Sequence, residues 1–297
     1  MKTVKDIGEL GLIDRIRRKI KSFPGVIRGI GDDAAVIRPP KGYELITTDS
    51  LVDQVDFVLG KTPANLVGRK LLAINLSDIA AMGGRPRCAV LSLGIPSSLA
   101  VAWFDAFLSG LLNIARRYKV VLIGGDVSRA GQFWASLTLT GEAVPGKWVG
   151  RSGAKPGDKI FVTGDLGGSL RGKHLKFNPK IEEALKIVKR FRPTSMIDIS
   201  DGFLQDLRHL LTESKAGAQV YADRIPVSRA AKSSLKHALS DGEDFELLFT
   251  ARRFVRIPGI KITQVGDITK KPGELMIFDS ENKRKRLKVK VKGYVHF

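Results

Sequence analysis

The chain has 297 residues, 43% hydrophobic and 27% charged, a composition of folded protein rather than of a disordered segment. Its formal net charge is +20, with 50 Lys and Arg against 30 Asp and Glu. One cysteine and four histidines exclude an intrachain disulfide and a cysteine-built zinc site, and no run approaches 18 apolar residues, which excludes a membrane-spanning helix.

The opening "MKTVKDIGELG" lacks the apolar core of a secretory signal, and the lone Cys88 suits a reducing compartment, so a cytoplasmic location is expected. Residues 5 to 21 read as an amphipathic helix with Leu12, Ile13, Ile16 and Ile20 on one face. The apolar runs "AAVIRP", "YELITTD" and "CAVLSLGIP" read as strands, with the helical "NLVGRKLLAINLSDIAAMGG" before the last and a stop at Gly83-Gly84. "WFDAFLSGLLNIARRY" is a further helix, "VVLIGGD" a strand ending at its glycines, and "FWASLTLTGEAV" a strand that closes this half. The Gly- and Pro-rich "PGKWVGRSGAKPGDK" marks a boundary. Beyond it come "IFVTGDLG", the helix "KIEEALKIVKRF", the turn and helix "MIDISDGFLQDLRHLLTES", and the strands "GAQVYADRIP", "FELLFTA" and "KITQVGDI". Alternation of strands and helices in both halves predicts an α/β protein. "INLSDIAAMGG" and "IDISDGFLQDL" share an Ile-x-x-Ser-Asp form, an echo consistent with duplication.

The positive charge is densest in "NKRKRLKVKVKG", with seven bases between Lys283 and Lys292 and the alternation of a strand that has one charged face. That pattern admits a nucleic-acid-binding reading. The acids argue for different chemistry. They recur beside Gly, Ser or Thr at element ends: Asp32 and Asp33 in "GIGDDAAV", Asp49 in "TTDSL", Asp78 in "NLSDIA", Asp126 in "IGGDVS", Asp198 and Asp201 in "DISDG". Singly, each is helix capping or turn chemistry. Together they form an oxygen-only donor set of the kind that holds Mg²⁺ and, through it, phosphate groups. In "TTDSLVDQVDF", Asp53 reads as a solvated or turn residue, and Asp56 has no obvious task. Glycines in "GGD" and "TGDLGGSLRG" permit close approach of backbone amides to an anion, yet neither segment is a Walker A loop or a dinucleotide fingerprint. Cys88 sits in a core-strand pattern and reads as packing rather than a nucleophile.

Eleven segments in order, among them "GIGDDAAV", "TTDSLVDQVDF", "NLSDIAAMGGRP", "LIGGDVS", "GRSGAKPGDKIFVTGDLGGS", "MIDISDGFLQDLRHL", "DGEDFELLFT" and "GYVHF", resemble the thiamine-monophosphate kinase family of the aminoimidazole-ribonucleotide-synthetase-like (PurM-like) superfamily. The resemblance implies an α/β (α+β), two-domain PurM-like fold with mixed sheets and flanking helices in each domain. It implies an ATP- and Mg²⁺-binding and dimerisation domain over 1–145 and a PurM-like domain over 146–297. The activity implied is ATP-dependent phosphorylation of thiamine monophosphate by direct in-line transfer, in a homodimer with several Mg²⁺ ions. Carried over by motif, the Mg²⁺ ligands are Asp32, Thr47, Thr48, Asp49, Asp78, Asp126, Asp198 and Asp201. The nucleotide positions are Thr47, Thr48, Gly125, Asp126, Arg151 and Ser200, with Asp126, Arg151 and Asp49 as catalytic residues. The substrate positions are Asp56, Glu243, Asp244 and Tyr294. Three departures stand out: "DQVDF" replaces the family's "EGVHF", so Asp56 stands for a histidine; "GGDV" replaces "GGDT" at Val127; and "RFRPTSMIDISDG" runs without the usual extra segment. A related ATP-dependent enzyme acting on another small phosphorylated substrate is the alternative, with nucleic-acid binding behind it.

Overall fold

The computed structural model describes residues 3–20, 26–28, 36–39, 42–143 and 148–278. The basic stretch 283–292 lies outside the described residues, as do Asp32, Asp33 and Tyr294. The chain divides into two compact units, Met1–Ile79 with Arg85–Gly146, and Ala80–Gly84 with Lys147–Phe297. No helix among the described residues is long and apolar enough to cross a membrane.

The first unit begins with α1 (Val4–Lys19), kinked at Gly8, where φ is +65°. A small pair, β1 (Val26–Arg28) and β2 (Val36–Ile37), precedes β3 (Glu44–Val52), α2 (Ala64–Ala81), β4 (Gly84–Ile95), α3 (Val101–Tyr118), β5 (Val121–Arg129) and β6 (Trp134–Ala143). The main sheet has the order β3-β6-β4-β5. β3 and β6 are antiparallel from Glu44 opposite Glu142 to Val52 opposite Trp134, while β4 and β5 run parallel with α3 as their crossover. One face of the sheet is covered: a Cβ on Gly141 of β6 would press on Ile79 of α2. Helices α2 and α3 approach closely because a Cβ on Gly68 would run into the Phe107 carbonyl, and one on Gly110 into that of Asn65. Phe57, Trp103, Phe107 and Phe133 form an aromatic cluster beside this crossing. Arg15 of α1 grips Asp105 of α3 through two bonds of 3.1 and 2.5 Å.

In the second unit, β7 (Lys159–Thr163), the short α4 (Lys173–Lys176), α5 (Ile181–Phe191), β8 (Ser195–Asp198), α6 (Phe203–Ser214), β9 (Gly217–Tyr221), α7 (Leu235–Ser240), β10 (Leu247–Ala251), β11 (Ile262–Thr269) and β12 (Leu275–Phe278) follow in order. The six-stranded sheet is β12-β9-β11-β7-β10-β8 and mixed, with β12 and β9 parallel and the remaining pairs antiparallel. Strand alternation sorts its two faces. Ile160, Val162 and Leu248 join Phe203, Leu207 and Leu211 of α6 in one buried cluster. Phe161 and Phe249 point the other way, onto Phe191 of α5, at ring distances of 5.3 and 5.0 Å.

Several expectations shift. β5 does not end at its glycines but runs to Arg129, because β4 continues beside it and pairs Leu91 with Gly125. The shared Ile-x-x-Ser-Asp form has two settings: Ser77-Asp78 lies inside α2, whereas Ser200-Asp201 is the link between β8 and α6. In "RFRPTSMIDISDG" only residues 192–194 join α5 to β8.

Candidate active site

In the first unit β3 carries the donors. Its side chains alternate: Leu45, Thr47, Asp49 and Leu51 share the helix-covered face, and Ile46, Thr48 and Ser50 are exposed on the other. Thr47 Oγ1 donates to Asp78 Oδ2 at 2.5 Å, so strand and helix bring a hydroxyl and a carboxylate together. Asp49 is two residues on, on the same face. Thr48 belongs to the opposite face, where it accepts from Thr138 Oγ1 at 3.1 Å and donates to the Leu137 carbonyl at 3.3 Å. Its side chain is therefore not part of the group around Asp78.

Asp126 is exposed on the edge strand β5. Two strands separate it from β3, about 14 Å at ordinary strand spacing. Ser128 Oγ donates to Asp126 Oδ2 at 2.8 Å, so the hydroxyl beside this acid comes from position 128, not from Val127. Gly125 has φ +152°, and a Cβ there would run into the Leu91 carbonyl. Only glycine lets the two parallel strands close up beside Asp126.

The turn after β3 accounts for Asp53 and Asp56. Asp53 is buried, and its Oδ1 accepts from the amides of Gln54 and Leu59 at 2.9 and 2.7 Å. It is a turn residue, not a solvated one. Asp56, half-buried, accepts from the Val52 amide at 2.8 Å.

In the second unit two motifs meet. The Glu243 amide donates to the Ser200 carbonyl at 2.7 Å and the Phe245 amide to Ile199 at 2.8 Å, which zips "GEDF" onto "DISD". Glu243 and Phe245 both adopt positive φ, +61° and +50°, a cost that this pairing offsets. Asp198, buried, ends β8, and Ser200 and Asp201 are half-buried beyond it. Beneath them Asp206 accepts from the amides of Asp201 and Gly202, both at 3.1 Å. Burial, then the charges of Asp198 and Asp201, pushes the Asp206 carboxyl up to about 8. Asp201, Asp206 and His209 bring ligand atoms within 4.8 Å of one another. Sequence reading passed over Asp206 and His209; their i, i+3 spacing on the helix after Asp201 was the available signal.

The Gly-rich loop after β7 meets carboxylates of the protein itself. Gly167 N donates to Asp244 Oδ2 at 2.7 Å and Gly168 N to Asp241 Oδ2 at 2.8 Å. A Cβ at either glycine would strike backbone near Ala238 or Ala230, so these glycines serve close packing. Asp244 is fully buried, and burial lifts its carboxyl to about 7. That position gives it a loop-holding task. Glu243 instead reaches His174 Nδ1 at 2.7 Å. Buried Glu246 takes Lys173 and Lys180, each at 3.1 Å, and Thr163 Oγ1 at 2.8 Å. Arg151 is exposed, and its guanidinium has no ion-pair partner among the described residues.

Thr47, Asp49 and Asp78 in one unit, and Asp198, Ser200 and Asp201 in the other, are hard oxygen donors that fit Mg²⁺ rather than a softer metal.

Comparison with known proteins adds identity to geometry. Residues 31–143 match the family described as AIR synthase related protein, N-terminal domain. A thiamine-monophosphate kinase of Rhodopirellula baltica is 38% identical over 288 residues, covering 89% of this chain and 90% of that protein. The thiamine-monophosphate kinase of Aquifex aeolicus is 33% identical, covering 99% of each chain. The solved structure of AaThiL complexed with AMPPCP and TMP superposes with a TM-score of 0.78 at 30% identity, covering 100% of this chain and 99% of that one.

Proposed function

The chain belongs to the thiamine-monophosphate kinase family, and on that premise we propose how its own residues carry out the family reaction. Its activity is the ATP-dependent phosphorylation of thiamine monophosphate, in keeping with the full-length likeness to a relative solved with an ATP analogue and TMP. That full-length likeness is the observation that carries the assignment.

The transfer is in line. A phosphate oxygen of the substrate attacks the γ-phosphorus of ATP; that new O–P bond forms as the bond to the β,γ-bridging oxygen breaks, and ADP leaves. Because a phosphate monoester loses its second proton at a pKa of about 6, the attacking oxygen is already ionised near neutral pH. No protein base and no covalent intermediate are needed. What remains for the protein is to position two anions and offset their charge.

In the first unit, we assign Asp49, Asp78, Asp126 and the Thr47 hydroxyl to Mg²⁺, with Asp32 completing the set. Thr48, whose side chain faces away, would contribute only through its backbone. In the second unit Asp198 and Asp201 take the same role, with Asp206 as the positioning residue that fixes their loop. When bound, Mg²⁺ supplies positive charge to the phosphate oxygens. In the second unit, Arg151, exposed and without an ion-pair partner among the described residues, is assigned to the nucleotide phosphates and Ser200 to the nucleotide; in the first unit, Gly125 is assigned to the nucleotide as well. To the substrate we assign Asp56 in the first unit and Glu243 and Tyr294 in the second, with buried Asp244 acting through the Gly167 loop. Asp56, where relatives carry histidine, meets the cationic ring of thiamine.

The exposed face of the four-stranded sheet, with Ile46 69% exposed beside Thr48 and Ser50, supports a homodimer formed through the N-terminal domain. A cytoplasmic location is in keeping with the single cysteine, Cys88, buried as a free thiol, which suits a reducing compartment.

The test incubates purified protein with ATP and Mg²⁺ and either thiamine monophosphate or thiamine. Diphosphate formed from the monophosphate alone is expected. Turnover of ATP with another small phosphorylated compound, and none with thiamine monophosphate, would favour the sister enzyme.

A further inference from the structure

The second unit also carries a surface that the kinase chemistry leaves unused. Phe254 is 53% exposed. Its ring stands on the aromatic cluster of the sheet, 6.1 Å from Phe161 and 6.2 Å from Phe191, so packing holds part of the ring and solvent meets the rest. The segment that bears it adds Arg252, Arg253 and Arg256, all exposed. Phe191, the residue Phe254 rests on, ends α5, and there Lys189, Arg190 and Arg192 are exposed as well. Of these six cations only Arg252 has a carboxylate partner among the described residues, Asp158 at 3.1 Å. The acids of α5, Glu182 and Glu183, lie at its opposite end, about 10 Å along the axis.

A held aromatic ring among six cations, five of them without a carboxylate partner among the described residues, suits a ligand with flat rings and repeated phosphates. A membrane surface would call for several exposed apolar side chains, and this segment offers Phe254 alone among its large exposed hydrophobics. An acidic peptide would engage the cations and leave the ring idle. We propose that this surface binds single-stranded nucleic acid, Phe254 stacking on a base while the arginines around it and Lys189 hold the phosphates. The proposal does not rest on the kinase assignment.

The experiment measures fluorescence anisotropy of a labelled oligouridine of about 12 nucleotides with the full chain, so that any contribution from the basic stretch 283–292 is common to all variants. Phe254→Ala should weaken binding about tenfold, and Phe254→Trp should retain it. Arg253→Glu with Arg256→Glu should weaken binding and flatten its salt dependence by about one unit of slope or more. Kinase turnover should be unchanged in all three, which also reports that they fold. Wild-type affinity in Phe254→Ala, or in the double charge reversal, overturns the proposal. An equal loss in Phe254→Ala for a polyglutamate peptide also overturns it, since a peptide has no base to stack.

Discussion

The carboxylate of Asp56 accepts a hydrogen bond from the backbone amide of Val52 at 2.8 Å, closing the turn on which Asp56 itself sits. Asp56 therefore has a structural task at hand, besides any meeting with substrate. The two tasks separate by substitution. Asp56→Asn keeps an acceptor for Val52 and removes the charge, so its unfolding free energy should stay within about 0.5 kcal/mol of wild type. Its KM for thiamine monophosphate should rise several-fold. Asp56→Ala should lose about 1 kcal/mol of stability in urea as well. An unchanged KM in Asp56→Asn would put the carboxylate outside the substrate's reach.

What could be read beforehand followed from local periodicity. The helices α3 and α5 announce themselves through apolar spacing, and the strands β3, β4, β6 and β7 through apolar runs. The acids could be named for the same reason, since Asp beside Gly, Ser or Thr is a local pattern, but Asp49, Asp78 and Asp126 fall inside β3, α2 and β5 rather than at their ends. What escaped reading depends on partners far along the chain. Gly167 meets Asp244 and Thr163 meets Glu246 across some 80 residues, so nothing near either glycine or acid betrays the pairing. The glycines of "TGDLGG" looked free for an external anion because their internal ones are so distant. Likewise Thr47 and Thr48 look equivalent in sequence, and only the pleat of β3 sends them to opposite faces.

Asp244 predicts a pH effect on stability. Burial raises its folded carboxyl to about 7, above the ordinary value of 3.8, so between those values the folded state binds the more protons. Stability from this group is fully present below the ordinary value and is lost as pH rises through about 7, with a slope of at most about 1.4 kcal/mol per pH unit. Asp244→Asn cannot titrate. Its urea midpoint should vary less than that of the wild type from weakly acidic to neutral pH, measured on otherwise identical samples. Parallel pH curves for the two proteins would show that Asp244 is ionised throughout.

Gly125→Ala tests whether the close approach of β4 and β5 matters to the site. The φ of +152° and the Leu91 carbonyl in the path of a Cβ both oppose the change. A loss of about 2–4 kcal/mol is expected by urea unfolding. Turnover should fall further than the folded fraction explains, since Asp126 is the next residue on the strand. Gly124→Ala is the control: a Cβ there meets only Val90 at 3.5 Å, an ordinary contact, and its stability should change far less.

Asp126 offers the sharpest test of the metal assignment, because it is exposed and its loss should not disturb packing. Asp126→Asn should lower kcat by at least about 100-fold, the scale on which charge at a transferring phosphoryl group acts, while the urea midpoint stays put. Ser128→Ala removes only the hydroxyl that donates to Asp126 Oδ2. It frees that oxygen without altering charge, so its effect should be confined to the Mg²⁺ concentration for half-maximal rate, with kcat at saturating Mg²⁺ close to wild type. Activity against Mg²⁺ titrated from EDTA-treated protein measures both. Full activity in Asp126→Asn would remove this residue from the ligand set and leave β3 and α2 as the first unit's metal-binding elements among the described residues.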